Sequence, residues 1–130
     1  MFASNNLRSP LGRARGLGSA KEGLHHWWAQ RLTAVALIPL SIWFVASVIA
    51  LTGSGYEEFA LWLANPINTT ALLLFLAVGF HHAQLGMQVV LEDYVSGHAL
   101  RTTSIVFVKF ICYGLAAFSI VSTLIVAFGV

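Results

Sequence analysis

The sequence predicts an all-α integral membrane protein with three transmembrane helices. Of its 130 residues, 58% are hydrophobic and only 9% are charged, which is too apolar for a soluble domain of this size. Three apolar runs each reach the roughly twenty residues that a helix needs to cross a hydrocarbon core about 30 Å thick. Basic residues are concentrated near the amino end, a typical orientation signal. The length leaves room for one membrane domain, so any large catalytic unit must lie in partner subunits.

The first predicted span covers about residues 32–51. A basic amino-terminal arm at residues 1–23 precedes it, and a membrane domain of three helices is predicted over residues 24–130. Trp27 and Trp28 stand just before the span, where tryptophans of an aromatic belt meet the membrane surface. The arm is therefore expected outside the hydrocarbon region.

The second span begins with a helix start signal and covers about residues 66–91. Turn residues at 52–55 end the first span, and residues 56–63 predict a short amphipathic segment lying in the membrane interface. Asn65 then suits the N-cap of a helix, and Pro66 suits its first position. These signals predict a new helix that starts at the interface.

The third span covers about residues 105–128, after a loop at residues 96–104 that begins with Ser-Gly. This loop and the amino-terminal arm hold the basic residues, whereas the loop between the first two spans carries Glu57 and Glu58. By the positive-inside rule the amino terminus is cytoplasmic. Three crossings then place the carboxyl terminus in the periplasm.

The amino-terminal residues also admit a second interpretation. They contain Arg and Ser and no acid before Glu22, which is typical of a mitochondrial transit peptide. We expect instead a retained arm on a protein of the bacterial inner membrane, with the mitochondrial inner membrane as the alternative location.

Two histidines, His81 and His82, lie well inside the second apolar run, where an imidazole needs a partner or a function. At about 100° per residue, His82, Gly86 and Asp93 share one helix face. The glycine would leave space for a flat macrocycle while the histidine reaches its iron. From spacing alone, the commoner interpretation is a histidine bonded to a neighbouring helix, with Gly86 allowing close packing. Adjacent histidines diverge by about 100°, so a bis-histidine haem would need a second subunit.

Polar residues near the membrane surface are further candidates. Tyr94 could donate a hydrogen bond to a quinone carbonyl, and Asp93 beside it could orient the quinone or relay protons. Arg31 stands at the mouth of the first span, within reach of an anionic group such as a haem propionate. The alternatives are an aromatic-belt tyrosine beside a solvated acid and an arginine that serves only orientation.

Residues 23–25, 31–34 and 82–95 together resemble the hydrophobic membrane anchor subunit of succinate dehydrogenase. Most of the resemblance lies in the second predicted helix. There, Gly86 follows His82 after four positions, and ten residues separate His82 from the Asp-Tyr pair at 93–94. Ala-Leu-Arg at 99–101, shortly beyond this helix, also agrees. The resemblance covers the chain from about Gly23 to its end.

The resemblance implies a complex of four subunits that works in the tricarboxylic acid cycle and in respiratory electron transport. A flavoprotein oxidises succinate, an iron–sulfur subunit passes the electrons on, and two membrane anchors hold haem b and ubiquinone. The chain would be one anchor, surrounded by lipid, with no nucleic acid partner and no catalytic residue of its own. The other anchor, the cytochrome b subunit, would supply the second haem histidine.

Carried over by position, the resemblance makes His82 the axial ligand of the haem iron. Tyr94 and Asp93 would lie at the ubiquinone site, and Arg31 would lie near the haem propionates. Because His81 and His82 are adjacent, His81 stays open as an alternative ligand. Two other functions stay open: the anchor of a quinol:fumarate reductase, and a haem-free structural membrane subunit.

Overall fold

The computed structural model describes residues 20–129, with side chains from residue 23 onward. Its four helices are α1 (Ala20–Ala50), α2 (Tyr56–Ala64), α3 (Pro66–Tyr94) and α4 (His98–Phe128). Helices α1, α3 and α4 are long and apolar enough to cross a membrane, which confirms the three predicted spanning helices. Most of the predicted amino-terminal arm lies outside the described residues.

Two helices extend well beyond the spans predicted from hydropathy. Helix α1 begins at Ala20, inside the predicted arm, and α4 begins at His98 instead of near residue 105. The loop predicted at residues 96–104 was therefore wrong, since most of it is helical and Arg101 N donates to Gly97 O at 3.0 Å. Hydropathy detects the part of a helix that lies in hydrocarbon, whereas backbone hydrogen bonds continue the helix through polar residues outside it.

The predicted turn at Gly97 is confirmed, and it joins α3 to α4. Val95 N donates to Leu91 O at 3.0 Å and closes the last turn of α3. Gly97 then adopts a φ of 91°, a conformation that residues with a Cβ rarely take. This glycine lets the chain reverse direction within three residues, so α3 and α4 run side by side.

We expect Gly97→Ala to lower the free energy of unfolding by roughly 1–3 kcal/mol, because a Cβ is strained at this positive φ. Thermal unfolding of the purified protein in detergent measures the change. Gly114→Ala is the matched control, since Gly114 lies inside α4 with no atom within 4 Å of an added Cβ. That variant should gain up to about 1 kcal/mol from helix propensity. Equal destabilisation by both variants would contradict the assignment of strain to Gly97.

Helix α3 is the centre of the bundle, with α1 packed on one side and α4 on another. Few side chains in the described part of the chain are fully enclosed, and Leu63 and Leu85 are its only buried apolar ones. Most large apolar side chains of α1 and α4 point outward. Such an apolar exterior suits lipid and the helices of other subunits.

The corner between α2 and α3 is held by aromatic stacking and by a helix cap. Trp62 of α2 stacks on Trp43 of α1 with ring centroids 5.9 Å apart. The side chain of Asn65 accepts a hydrogen bond from Ile67 N at 2.9 Å, and Asn68 Nδ2 donates to Trp62 O at 2.9 Å. The short segment predicted after the first span is helical, and the Asn65 cap is confirmed. The position of α2 in the membrane interface stays a prediction.

Candidate functional site

His82 on α3 faces α1. Its Nδ1 lies 2.9 Å from Thr33 Oγ1, the only hydrogen bond of this ring among the residues that the structure describes. One turn later in α3 and one turn earlier in α1, a methyl group added at Gly86 would lie 3.7 Å from Gln30 Nε2. His82 and Gly86 therefore share a face, as their spacing predicts. The space expected beside Gly86 borders the amide of Gln30 rather than being open.

His81 faces α4 instead. Its ring stacks on Tyr113 with centroids 6.3 Å apart and an interplanar angle of 25°. The Tyr113 hydroxyl lies 3.4 Å from His81 Nδ1. The two neighbouring histidines thus point toward different helices, which follows from the 100° rotation per residue. A single ligand or side chain beside α3 can therefore be contacted by His81 or by His82, but not by both.

A polar chain that the sequence analysis missed runs along the α4 side of α3. Tyr113 donates to Gln84 Oε1 at 3.3 Å, and Gln84 Nε2 donates to Gln88 Oε1 at 3.2 Å. Gln88 Nε2 donates in turn to Glu92 Oε1 at 2.9 Å. Gln84 is only 1% exposed, so these bonds satisfy an amide that would otherwise be costly to bury. The four-residue spacing of Gln84, Gln88 and Glu92 was the available signal.

Arg31 lies on the side of α1 that faces away from α3. It is two residues from Thr33, which is about 160° around a helix, and its side chain is exposed. Its guanidinium carbon lies 5.6 Å from the centre of the Trp27 ring, within the range of a cation–π contact. The structure therefore does not bring Arg31 together with His82 in this chain. A contact with a haem propionate stays a prediction that requires the propionate to reach this outer side.

Asp93 and Tyr94 lie at the end of α3, and both are exposed, Tyr94 by 84%. Tyr94 is twelve residues beyond His82, hence about 18 Å along the helix axis. The same count turns Tyr94 about 120° from His82, whereas His81 is turned about 100° the opposite way. Tyr94 thus occupies a third side of α3, which neither α1 nor α4 covers.

The polar groups around His82 fit one half of a haem site. An axial ligand needs a ring nitrogen with a free lone pair, and the Thr33 contact engages Nδ1 and leaves Nε2. On the same face of α1, His26 Nε2 and Gln30 Oε1 are buried without a hydrogen-bond partner. Within residues 20–129 no group of three His, Cys, Asp or Glu could hold a metal ion. His81 could not supply a second axial ligand beside His82, because it is turned toward α4.

Three helices able to cross a membrane and an apolar exterior are the features of a multi-pass membrane protein. The chain belongs to the succinate dehydrogenase/fumarate reductase transmembrane subunit family, whose profile matches residues 5–125. This membership confirms the resemblance found in the sequence of the second spanning helix.

Individual relatives agree with the family. The chain is 38% identical over 108 residues to the succinate dehydrogenase hydrophobic membrane anchor subunit of Rickettsia conorii, covering 82% of this chain and 86% of the relative. It is 41% identical over 104 residues to the subunit of that name from Rickettsia bellii, covering 80% and 83%. The corresponding protein of Paracoccus denitrificans is 34% identical over 99 residues, covering 76% of each chain.

Proposed function

We propose that the chain is a membrane anchor subunit of a succinate:quinone oxidoreductase. It docks the flavoprotein and iron–sulfur subunits at the membrane, shares haem b with a second anchor, and contributes to the ubiquinone-reduction site. The observation that supports the haem role is the contact between His82 Nδ1 and Thr33, which leaves Nε2 as the ring nitrogen available to a metal. The names of the relatives support the complex.

In this proposal His82 would hold the haem iron together with a histidine of the cytochrome b subunit. The geometry of α3 supports the division, because His81 faces Tyr113 and cannot reach the same group from the opposite side. When bound, the haem supplies a one-electron carrier within the membrane. The chain's own part is to position the imidazole and to exclude water from its surroundings.

The end of α3 carries the proposed quinone contact. Tyr94 would donate a hydrogen bond to a carbonyl oxygen of ubiquinone, and Asp93 beside it would orient the ring or pass on a proton. Both side chains are exposed, so a ligand could reach them. Reduction to the quinol consumes two electrons and two protons, so a site near the aqueous interface has access to the protons.

The distribution of charge supports a cytoplasmic location for this end of the bundle. Arg31 and Arg101 lie near the end that holds Tyr94, whereas Glu57 and Glu58 lie in α2 at the other end. By the positive-inside rule the amino terminus would be cytoplasmic and the carboxyl terminus periplasmic. The bacterial origin of the relatives Rickettsia and Paracoccus supports a place in the bacterial inner membrane. The mitochondrial inner membrane is the alternative location.

The proposal is tested by purifying the tagged chain in mild detergent and recording difference spectra after succinate and after dithionite. We expect the flavoprotein and iron–sulfur subunits to accompany the chain, with a b-type spectrum that succinate reduces. An assembled complex in which dithionite reveals no haem would support the haem-free structural subunit instead.

The family also includes fumarate reductases, so the direction of electron flow is a separate question. The relatives at 34–41% identity are all named for succinate dehydrogenase, which favours succinate oxidation. Turnover of the purified complex with succinate and ubiquinone, compared with fumarate and a low-potential quinol, decides between the two directions.

A further inference from the structure

We propose that Thr33 is a positioning residue that holds His82 in the tautomer able to bind iron. The inference rests on the proposed haem function and deepens it. Thr33 lies on α1 and would act on the haem through His82, without touching the haem itself. The role is to keep the ring proton on Nδ1, so that Nε2 presents a lone pair.

The hydrogen bonds of the Thr33 hydroxyl support this assignment. Its oxygen lies 2.6 Å from Ala29 O, 3.1 Å from Gln30 O and 2.9 Å from His82 Nδ1. A hydroxyl has a single hydrogen to donate. The shortest contact is the bond to the carbonyl one turn earlier, which threonine commonly makes within a helix. The hydrogen therefore belongs to the Ala29 bond.

The oxygen of Thr33 must then accept a hydrogen bond from His82 Nδ1–H. A neutral imidazole with its proton on Nδ1 has its lone pair on Nε2, the form that an axial ligand requires. A hydrogen-bond acceptor on the far nitrogen of a metal-binding histidine also raises the basicity of the ligand and fixes the orientation of the ring. Thr33 would supply both effects from a neighbouring helix.

Thr33 could alternatively serve only as a small residue at the contact between α1 and α3. The two roles make different demands on the side chain. A packing role requires the shape of threonine, which valine retains, whereas a positioning role requires the hydroxyl, which serine retains. The pair Thr33→Val and Thr33→Ser therefore separates the two roles.

The test compares both variants with the wild type in the assembled complex. We expect Thr33→Val to release haem to apomyoglobin on the order of ten to a hundredfold faster. Its haem midpoint potential should rise, because a less basic imidazole stabilises ferric iron less. Thr33→Ser should restore both values toward the wild type. Thr103→Val is the matched control, since Thr103 makes the same backbone bond in α4, to Ala99 O at 2.8 Å, and has no hydrogen bond to a histidine among residues 20–129.

The outcomes distinguish this inference from the proposed function. If Thr33→Val retains the wild-type release rate and potential while His82→Ala lacks haem, the positioning role is overturned and the haem function stands. If the wild-type complex holds no haem, the haem function itself fails. Retention of the flavoprotein verifies assembly of each variant, and Thr33→Ala, with the same expected changes, replaces Thr33→Val if the latter does not assemble.

Discussion

His82→Ala should abolish the b-type haem spectrum of the assembled complex, whereas His81→Ala should retain it. Removal of an axial ligand leaves the iron with one protein ligand, and alanine offers no replacement. His81 contacts Tyr113 on the other side of α3, so its loss should cost only the roughly 0.5–1.5 kcal/mol of a hydrogen bond. Optical difference spectra of the dithionite-reduced complexes measure the haem content of both variants.

The adjacent histidine is the closest control that the chain offers, because both residues have the same chemistry and nearly the same depth. If the spectrum survives in His82→Ala and disappears in His81→Ala, the ligand is the neighbouring residue and the assigned register is off by one. If it survives in both variants, the chain supplies no axial ligand, and the haem must be held entirely by other subunits.

Tyr94→Phe should lower the kcat/KM for ubiquinone about tenfold, because one hydrogen bond to the quinone worth about 1.4 kcal/mol is lost. Succinate oxidation with a water-soluble dye that accepts electrons before the quinone site should be unchanged. The ratio of the two activities in the purified complex measures the effect and corrects for the amount of intact flavoprotein.

Tyr56→Phe provides the matched control, since Tyr56 is also exposed, by 71%, but stands on α2 at the opposite end of the bundle. It should leave both activities at wild-type values. Equal ubiquinone activity in Tyr94→Phe and the wild type would show that this hydroxyl does not contact the quinone. An equal loss in the two variants would point to a general effect on the membrane domain.

The number of spanning helices and the positions of their turns were predictable, but helix length was not. The apolar runs and the signals at Asn65 and Gly97 correspond to observed features. The start of α4 was misjudged because residues 98–104 are mostly polar, and hydropathy measures preference for lipid, not the tendency to remain helical. Helix propensity and the contacts of the helix decide where it ends.

The candidate site was predictable in part. The 100° rotation per residue predicted that His81 and His82 point to different neighbours. The structure identifies these neighbours as Tyr113 for His81 and Thr33 for His82. The side of α1 that carries Arg31 could not be judged without knowing which face packs on α3. The chain of glutamines on α3 was missed because a buried amide becomes acceptable only when its partners on both helices are known.

The sequence by itself determined an all-α membrane protein, since a backbone in lipid must satisfy its hydrogen bonds within helices and the apolar runs are long enough to span. It also determined which residues share a helix face, because that depends only on spacing along one helix. The tertiary structure alone decided that Thr33 meets His82, forty-nine positions away in the chain. Such a contact depends on the register between two helices, which side-chain packing along their whole length sets.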